Sequence, residues 1–274
     1  MEDSKISWTN NTFNPWMGCT KVSPACTKCY AENLTTTKGL LDGWGKGSPR
    51  KRTSKTTWAR PLKWDRQARE SGKRLRVFCA SLADVFDEEV SSEWRRDLFD
   101  LIKKTPNLDW LLLTKRPHLI ENQLREIGVW QSLPWRQIWF GTTAENQEWF
   151  DKRWDHLRKV PAVVRFISYE PACGSLILPD SARGELDWFI AGGETSPKKN
   201  GSRPSNPEWF RSTRDQCENM EISFHFKQWG NDIPNSNGEM EWYGKTSRYF
   251  IENHAILDGK THFNCPEPVL ERIS

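Results

Sequence analysis

The amino-acid sequence predicts an α/β fold in which parallel strands form a full or partial (β/α) barrel. Six short apolar runs, each the length of a strand, alternate with amphipathic helical segments from residue 75 onward. Each run ends in a cluster of charged or hydroxyl side chains. Strands that alternate with helices favour βαβ units and a parallel sheet, and the clusters at the strand ends favour a barrel.

The predicted strands are nearly continuous runs of apolar, β-branched and aromatic residues. Such runs are typical of strands that are buried on both faces, as parallel strands are. In chain order they lie at residues 76–80, 109–113, 137–141, 163–167, 187–191 and 222–226.

Amphipathic helices are predicted between these strands. Ser91 or Ser92 is suited to cap the first helix, and Asn206 followed by Pro207 is suited to start the last. The apolar stripes of the helices are Trp94, Leu98, Leu101 and Ile102; Leu119, Ile120, Leu124 and Ile127; Phe150, Trp154 and Leu157; and Phe210, Thr213 and Cys217.

Polar residues follow all six predicted strands. In a barrel the C-terminal ends of the strands converge on one mouth, where active sites lie. In an open doubly wound sheet mainly the strands near the switch point need such residues, so six clusters favour a full or partial barrel. For any single cluster, a helix N-cap or an ordinary polar loop is the alternative interpretation. The clusters lie at 81–84, 114–117, 142–146, 168–171, 192–194 and 227–230.

Composition excludes several classes of protein. The chain of 274 residues is 36% hydrophobic and 12% aromatic, which is too apolar and too aromatic for a disordered chain. No apolar run approaches the roughly 18 residues that a transmembrane helix needs, and the first residues carry no signal-peptide pattern. We therefore expect a cytoplasmic protein without membrane association. Seven cysteines in such a chain favour metal binding or reactive thiols over disulfides.

Four segments of one structural domain are predicted from the composition along the chain. They are an N-terminal segment with a cysteine motif at 1–34, a flexible basic insertion at 35–61, the barrel body at 62–230, and a C-terminal cap or tail at 231–274.

The basic insertion concentrates the positive charge of a chain whose net charge is only +4. Between residues 35 and 60, seven basic residues stand against one acid. Clustered cations can neutralise phosphates, so nucleic acid is the expected partner, and a merely solvated loop is the alternative. The residues expected to bind nucleic acid are Arg50, Lys51, Arg52 and Lys55.

Three cysteines form the most informative motif, with the spacing C-x6-C-x2-C at Cys19, Cys26 and Cys29. The close pair can point two thiolates at one metal centre, and the longer loop can return the third. Three ligands suit a 4Fe–4S cluster with one open iron, or zinc with a fourth ligand from elsewhere, such as Cys79. Because no histidine precedes His118, we favour the cluster over zinc, and zinc over three unconnected cysteines.

The cysteine motif and the strand-end clusters together resemble the radical S-adenosylmethionine superfamily. More closely, the chain is similar to a phage and bacterial family of uncharacterised three-cysteine-motif proteins. The first cysteine gap departs from the C-x3-C-x2-C spacing usual in the superfamily, and the Gly-Gly-Glu segment follows a later strand, so the role of that segment is not transferred. The matching motifs are Trp8-Thr9, Asn14-Pro15, Gly18-Cys19-Thr20, 26–31, 81–86, 113–117, 168–171, 192–194 and 226–230.

This resemblance implies a 4Fe–4S cluster and S-adenosylmethionine as cofactors, and a reductant protein as a partner. An internal ion-pair network among the strand-end charges is the alternative interpretation for the charged candidates. The candidates for binding S-adenosylmethionine are Tyr30, Ser81, Asp84, Lys115 and Arg116. The candidates for acid–base catalysis or substrate contact are Glu170, Glu194 and Lys227.

These features favour a radical S-adenosylmethionine-type enzyme that modifies or repairs a nucleic acid or nucleotide. The alternative is a non-catalytic protein that binds DNA or RNA and whose cluster is structural or senses redox state. A zinc enzyme is a third possibility. Formation of 5′-deoxyadenosine would separate the first function from the other two.

Overall fold

The computed structural model describes residues 2, 4–196, 201–245 and 247–273. The chain divides into two compact units. The predicted division of one structural domain into four segments stays a prediction. The first unit is Met1–Thr142, Asp155–Arg165 and Pro268–Ser274, and the second is Thr143–Trp154 and Phe166–Glu267.

The first unit contains a parallel sheet and a short antiparallel pair of strands. Its strands are β1 Asn11–Thr12, β2 Trp16–Met17, β3 Lys51–Arg52, β4 Leu75–Cys79, β5 Leu108–Thr114 and β6 Ile138–Thr143. Its helices are α1 Tyr30–Thr37, α2 Lys55–Ser71, α3 Ser92–Lys103 and α4 Ile120–Glu126. Strands β1, β4, β5 and β6 pair in parallel in that order, and β2 pairs with β3.

The second unit contains a second run of parallel strands. Its elements are α5 Gln147–Leu157, β7 Arg165–Tyr169, β8 Trp188–Gly192, α6 Pro207–Asn219, β9 Ser223–Gln228, β10 Asp232–Pro234, β11 Met240–Trp242 and α7 Arg248–Asn253. Strands β7, β8 and β9 pair in parallel in that order, and β10 with β11 forms an antiparallel pair.

In the described residues, seven parallel strands follow one another in chain order. This is the strand order of a (β/α) barrel, whereas a doubly wound sheet reverses its order at the switch point. The predicted α/β fold, a partial (β/α) barrel of parallel strands, is therefore confirmed. All six predicted strands are present as β4 to β9. The remaining parallel strand, β1, is two polar residues long and carries no apolar run that could predict it.

Helix ends follow local sequence signals. Ser54 caps α2 by accepting a backbone N–H, and Gly72 ends that helix in the left-handed conformation. Asn206 and Pro207 start α6 as predicted. Ser91 occupies the N-cap position of α3, although its hydroxyl makes no capping hydrogen bond.

The segment predicted as a flexible insertion at 35–61 contains regular elements. It includes the end of α1, the strand β3 and the first turns of α2. Strand β3 forms because Lys51 and Arg52 pair with Met17 and Trp16 of β2. The basic run is therefore attached to the sequence that immediately precedes the first cysteine of the motif.

Residues 231–267 belong to the second unit, and part of this segment extends its sheet. The Phe226 N–H donates to the His262 carbonyl at 2.7 Å, and the Asn264 N–H donates to the Phe224 carbonyl at 3.2 Å. These bonds place residues 262–264 alongside β9. No helix of the described residues is both long enough and apolar enough to cross a membrane.

Candidate metal centre

The three motif cysteines lie in the first unit, between β2 and α1. Cys19 follows Gly18, whose N–H donates to the Leu82 carbonyl at 3.0 Å. Cys26 ends a short 3-10 turn, and Cys29 is the N-cap of α1. All three are free thiols. The first cysteine is therefore attached to the chain that leaves β4, whereas the other two belong to the start of α1.

Cys19 contacts the charged side chain of Arg116. Its Sγ atom lies 3.7 Å from Arg116 Nη1, and Arg116 Nη2 donates to the Thr20 carbonyl at 2.7 Å. Burial, with a smaller effect of Asp84, raises the pKa of the Cys19 thiol to about 12, while Arg116 acts in the opposite direction. Arg116 is thus a cation held against the sulfur of the first cysteine.

Arg116 belongs to a buried network of four charged side chains. Its Nη1 donates to Asp84 at 3.0 Å, and its Nη2 lies 3.6 Å from Asp87. Arg50 Nη2 is 2.7 Å from the other oxygen of Asp87. The four side chains are between 1% and 7% exposed. Because buried charges are stable only when paired, this arginine–aspartate network is part of the protein's framework, and the predicted alternative of an internal ion pair is present for Asp84 and Arg116.

Arg50 connects this network to the first cysteine. Its Nη2 donates to Thr20 Oγ1 at 2.7 Å, and its Nη1 donates to the carbonyls of Gly45 and Ser48 at 3.0 and 2.7 Å. Gly18 has a positive φ, near 105°, which favours glycine. A Cβ at this position would also lie 2.9 Å from Arg50 Cδ, so there is little space for a side chain. The prediction that Arg50 binds nucleic acid does not fit this arrangement, because its guanidinium is buried and fully engaged within the protein.

The carboxylate of Asp84 is surrounded by donors. It accepts hydrogen bonds from the Thr114 hydroxyl at 2.7 Å, from the Lys115 N–H at 3.0 Å and from the Phe86 N–H at 3.0 Å. Arg116 supplies a fourth donor. Asp84 therefore holds the ends of β4 and β5 together, and this arrangement leaves it no free oxygen for the predicted contact with S-adenosylmethionine.

Polar groups also surround the second cysteine. Ser23 Oγ lies 3.8 Å from the Sγ atom of Cys26. Burial opposes ionisation of the Cys26 thiol, but Lys115 and hydrogen bonds to the backbone at Val22 and Ser23 outweigh it and lower the pKa. The positive charge of Lys115 thus favours the thiolate form of Cys26.

Tyr30 follows the third cysteine and is about half exposed. Burial raises the pKa of its phenol, and the nearby Ser81 side chain opposes this shift. Asn14 Nδ2 donates to Ser81 Oγ at 3.0 Å, and Asn14 Oδ1 accepts the Leu82 N–H at 2.8 Å. Tyr30 and Ser81, two residues predicted to bind S-adenosylmethionine, are therefore brought together by the structure.

The donor set suits an iron–sulfur cluster, although the thiols are not assembled. Clusters of the 4Fe–4S type are held by cysteine thiolates, and three free thiols lie within eleven consecutive residues of the first unit. In the part of the chain that the structure describes, no three His, Cys, Asp or Glu side chains are close enough together to hold a metal ion. Cluster binding would therefore require the segment from Cys19 to Cys29 to draw its thiols together.

Ion pairs occupy the strand ends of the second unit. Glu170, which follows β7, lies 2.6 Å from Lys227 Nζ near the end of β9, and their side chains are 12% and 26% exposed. Ser168 Oγ lies 3.3 Å from the second oxygen of Glu170. The structure thus brings together two of the three residues predicted to be catalytic, and their catalytic role stays a prediction.

Glu194, the third predicted catalytic residue, is held by Arg203. Arg203 donates from Nη2 at 2.6 Å, from Nε at 3.0 Å and from its backbone N–H at 2.8 Å. The carboxylate of Glu194 is buried. Neighbouring Glu145 is likewise paired with Arg153, at 2.8 Å. These contacts give the strand-end acids of the second unit fixed positions.

The Gly-Gly-Glu segment has a steric role. A Cβ at Gly193 would lie 1.7 Å from the Trp229 carbonyl oxygen, and a Cβ at Gly230 would lie 2.4 Å from the Glu194 carbonyl oxygen. The φ of Gly230 is 102°, which also favours glycine. Only glycine lets the chain leaving β8 pass so close to the chain leaving β9.

Three residues of the basic run remain exposed. Arg52 stacks 4.3 Å above the ring of Trp58 and pairs with Asp97 at 2.7 Å. Lys51 Nζ donates to a backbone carbonyl at 3.1 Å, and Lys55 is the first residue of α2. Arg52 thus lies over an aromatic ring, as cations do in surfaces that bind single-stranded nucleic acid.

Sequence reasoning missed Asp87 and Arg203, which hold site residues in place. Asp87 lies one residue beyond the motif at 81–86, and its partner Arg50 is 37 residues earlier in the chain. Arg203 follows Glu194 by nine residues. No spacing rule links such partners, and no pattern in the sequence identifies them.

The fold and the cysteine segment together define the class of this protein: an α/β protein of parallel strands in chain order, with three free thiols between β2 and α1 of its first unit. The chain belongs to a family described as protein of unknown function (DUF5131), which matches residues 3–266. No curated protein matches it. Its predicted place in a phage and bacterial three-cysteine-motif family stays a prediction.

Two solved structures are similar to the chain. One is a spore photoproduct lyase variant with bound AdoMet and dinucleoside spore photoproduct, at 17% identity and a TM-score of 0.42. The other is spore photoproduct lyase complexed with dinucleoside spore photoproduct, at 17% identity and a TM-score of 0.44. Each match covers 82% of this chain and 57% of the other, so the chain spans little more than half the length of those proteins.

Proposed function

We propose that this chain is an iron–sulfur enzyme of the radical S-adenosylmethionine type that acts on a nucleic acid or a nucleotide. The position of Cys19, held by Arg116 beside the ends of β4 and β5, is the observation that carries the proposal. Active sites of (β/α) folds lie at the C-terminal ends of their strands. A thiol at this place, with two further thiols nearby in the chain, supplies the donors of a cluster where such a fold performs its chemistry.

The three motif thiols would hold the 4Fe–4S cluster. When bound, the cluster supplies an electron, delivered by a reductant protein, for reductive cleavage of S-adenosylmethionine. The Lys115 ammonium suits the carboxylate of that cofactor, and the hydroxyls of Tyr30 and Ser81 suit its amino group or ribose. Asp84 and Arg116, which form an ion pair with each other, would hold these residues in position without contacting the cofactor themselves.

Glu170 and Lys227 are the residues that we propose to contact the substrate. A partly exposed carboxylate and ammonium at 2.6 Å can hold a ribose hydroxyl and exchange a proton with it. Glu194 would contact the substrate with its position fixed by Arg203. A nucleoside or nucleotide offers the hydroxyl and phosphate groups that this set of side chains recognises.

Reduced protein is expected to convert S-adenosylmethionine into 5′-deoxyadenosine. The measurement is mass spectrometry of the products after anaerobic incubation with dithionite. Cys26→Ala serves as the control and is expected to form none, because it removes a cluster ligand without changing the strand-end ion pairs. Unmodified protein with an intact cluster that forms no 5′-deoxyadenosine would favour the alternative function.

That alternative is a non-catalytic nucleic-acid-binding protein, and the stacked pair of Arg52 and Trp58 favours it. A half-buried aromatic ring with neighbouring cations can stack a base and neutralise its phosphate. The same surface could also deliver a nucleic acid substrate to an enzyme. Nucleic-acid binding is therefore tested separately from cofactor cleavage.

Replacing Lys51, Arg52 and Lys55 together by Gln is expected to weaken single-stranded DNA and RNA binding and to flatten its salt dependence. Each phosphate contact contributes a slope of about −0.7 to −0.9 in log affinity against log salt, so three lost contacts flatten the slope by about two to three units. Fluorescence anisotropy at several salt concentrations measures this slope.

A matched control replaces three exposed cations elsewhere by Gln: Arg125, Lys152 and Arg158. Their loss removes the same charge and is expected to leave the slope close to that of the unmodified protein. An equal slope for both triple variants would show that net charge, and not the surface around Trp58, governs binding.

A further inference from the structure

Helix α2 carries a stripe of exposed cations along its length. With 3.6 residues per turn, Lys55, Leu62, Arg66 and Arg69 fall on one face of this helix, and Lys73 follows its C-cap glycine. All five residues are exposed. Lys55 and Arg69 are about 21 Å apart along the axis, since an α-helix rises about 1.5 Å per residue. We call Lys55, Arg66, Arg69 and Lys73 the α2 basic stripe.

The α2 basic stripe forms no ion pair among the described residues, although two acids lie four residues from its arginines. Asp65 precedes Arg69 by one helical turn, but its two oxygens accept instead from the backbone N–H and the side chain of Asn107, at 2.8 and 3.1 Å. Glu70 follows Arg66 at the same spacing and leaves it unpaired. By contrast, α4, α5 and α7 each pair an exposed cation with an acid four residues away. The charge of the stripe is therefore available to an outside anion.

The start of α2 adds to this positive potential. Lys55 is the first residue of the helix, and its first turn contains no acid. A cation at this end is unfavourable, because the helix dipole is also positive there, and an anion bound nearby relieves both charges. Residues 55–73 hold six basic residues and two acids, a net charge of +4 that equals the net charge of the whole chain.

We propose that the α2 basic stripe binds the phosphate backbone of a single-stranded nucleic acid. The proposal rests on the proposed function in one respect, since both take nucleic acid to be the partner. Charge complementarity favours a chain of phosphates along a row of cations. The stripe is also continuous with the cations of β3 and with the ring of Trp58, which lies one turn from Lys55 and over which Arg52 stacks at 4.3 Å.

The aromatic ring and the burial of α2 distinguish this partner from two others. A single strand has unpaired bases that can stack on Trp58 while its phosphates follow the helix, whereas a duplex keeps its bases stacked inside. An anionic membrane fits poorly, because the apolar face of α2 is already buried through Trp64 and Ala68. Leu62, 45% exposed, is the single large apolar residue among the cations, too little for a helix that binds a bilayer.

The test replaces Arg66, Arg69 and Lys73 together by Gln. Binding of a fluorescein-labelled single-stranded oligodeoxynucleotide is measured by fluorescence anisotropy at several salt concentrations. Each phosphate contact on a single strand contributes about −0.7 to the slope of log affinity against log salt, so the slope is expected to flatten by about two units. The variant of Arg125, Lys152 and Arg158 is the matched control, because it also removes two arginines and one lysine from exposed positions. Equal slopes in the two triple variants would overturn the proposal.

A second pair of variants tests the stripe without removing a cation. Leu62→Glu places a negative charge between Lys55 and Arg66 and is expected to weaken binding at low salt about fivefold. Leu62→Gln is the control and is expected to bind like the unmodified protein. Because Leu62 is exposed, both variants should unfold at the temperature of the unmodified protein, which tryptophan fluorescence checks. Equal affinities of Leu62→Glu and Leu62→Gln would contradict the proposal.

The outcomes also separate this inference from the proposed function. Unmodified protein that binds no single strand at low salt contradicts nucleic acid as the partner in both. Binding that does not change in the stripe variants contradicts only the inference. Tighter binding of the duplex form of the oligonucleotide, or binding of phosphatidylserine vesicles that the triple variant loses, assigns the stripe to another partner and overturns it.

Discussion

Replacing any one of Cys19, Cys26 and Cys29 by alanine is expected to remove most of the iron from anaerobically purified protein. The unmodified protein should be brown and carry about four irons per chain, as a 4Fe–4S cluster requires. The motif provides only three thiols, so a variant keeps two ligands, too few to retain the cluster through purification. Iron analysis and the visible absorption spectrum measure the loss.

Cys217→Ala is the control for these variants. Cys217 is a free thiol that is fully buried in α6 of the second unit, where it behaves as a small apolar residue. Its replacement should leave the iron content at the level of the unmodified protein. One zinc and no iron in the unmodified protein, or full iron in all three motif variants, would show that the motif holds no such cluster.

Asp87→Ala is expected to destabilise the protein strongly. Asp87 is 1% exposed, accepts a hydrogen bond from Arg50 Nε at 2.9 Å and lies 2.7 Å from Arg50 Nη2. Without the carboxylate, a buried guanidinium loses its main counter-charge. Breaking a buried ion pair in this way costs about 3–5 kcal/mol. Urea unfolding of the metal-free protein, followed by tryptophan fluorescence, measures the change in the free energy of unfolding.

Asp97→Ala tests whether burial of the ion pair is the reason for the large expected loss of stability in Asp87→Ala. Asp97 also pairs with an arginine at 2.7 Å, but its side chain is 47% exposed and that of Arg52 is 36% exposed. An exposed pair of this kind contributes about 0–1 kcal/mol. Similar losses in Asp87→Ala and Asp97→Ala would mean that the arginine–aspartate network does not support the fold.

The strands of this fold could be predicted because each is a run of apolar residues buried on both faces. The run at 109–113, for example, lies within β5, whose residues are almost all buried. Strand β1 could not be predicted, since its two polar residues acquire a strand conformation only by pairing with Val77 and Phe78 of β4. A local sequence pattern predicts a strand when the side chains of that strand stabilise it. The pattern does not predict a strand that is stabilised by pairing with a distant part of the chain.

The same distinction applies to the candidate site. The cysteine spacing, Tyr30 and Ser81 belong to motifs that are visible in the sequence. The fate of Arg50 depends on Asp87, which lies 37 residues further along the chain. A run of cations predicts an exposed surface. Arg50 is buried instead, because its guanidinium pairs with the buried carboxylate of Asp87. Composition describes the run as a whole and cannot separate the buried arginine from its exposed neighbours.

The close contact between the chains that leave β8 and β9 restricts which residues can be substituted during evolution. With 1.7 Å between a virtual Cβ at Gly193 and the Trp229 carbonyl oxygen, every side chain is excluded there whatever the protein binds. Gly193 and Gly230 should therefore persist in relatives that have exchanged one substrate for another. If these glycines are invariant among relatives, the cause is steric exclusion of a side chain. Substitutions that change the substrate are expected instead at the neighbouring residues Glu170 and Lys227, where the backbone imposes no such restriction.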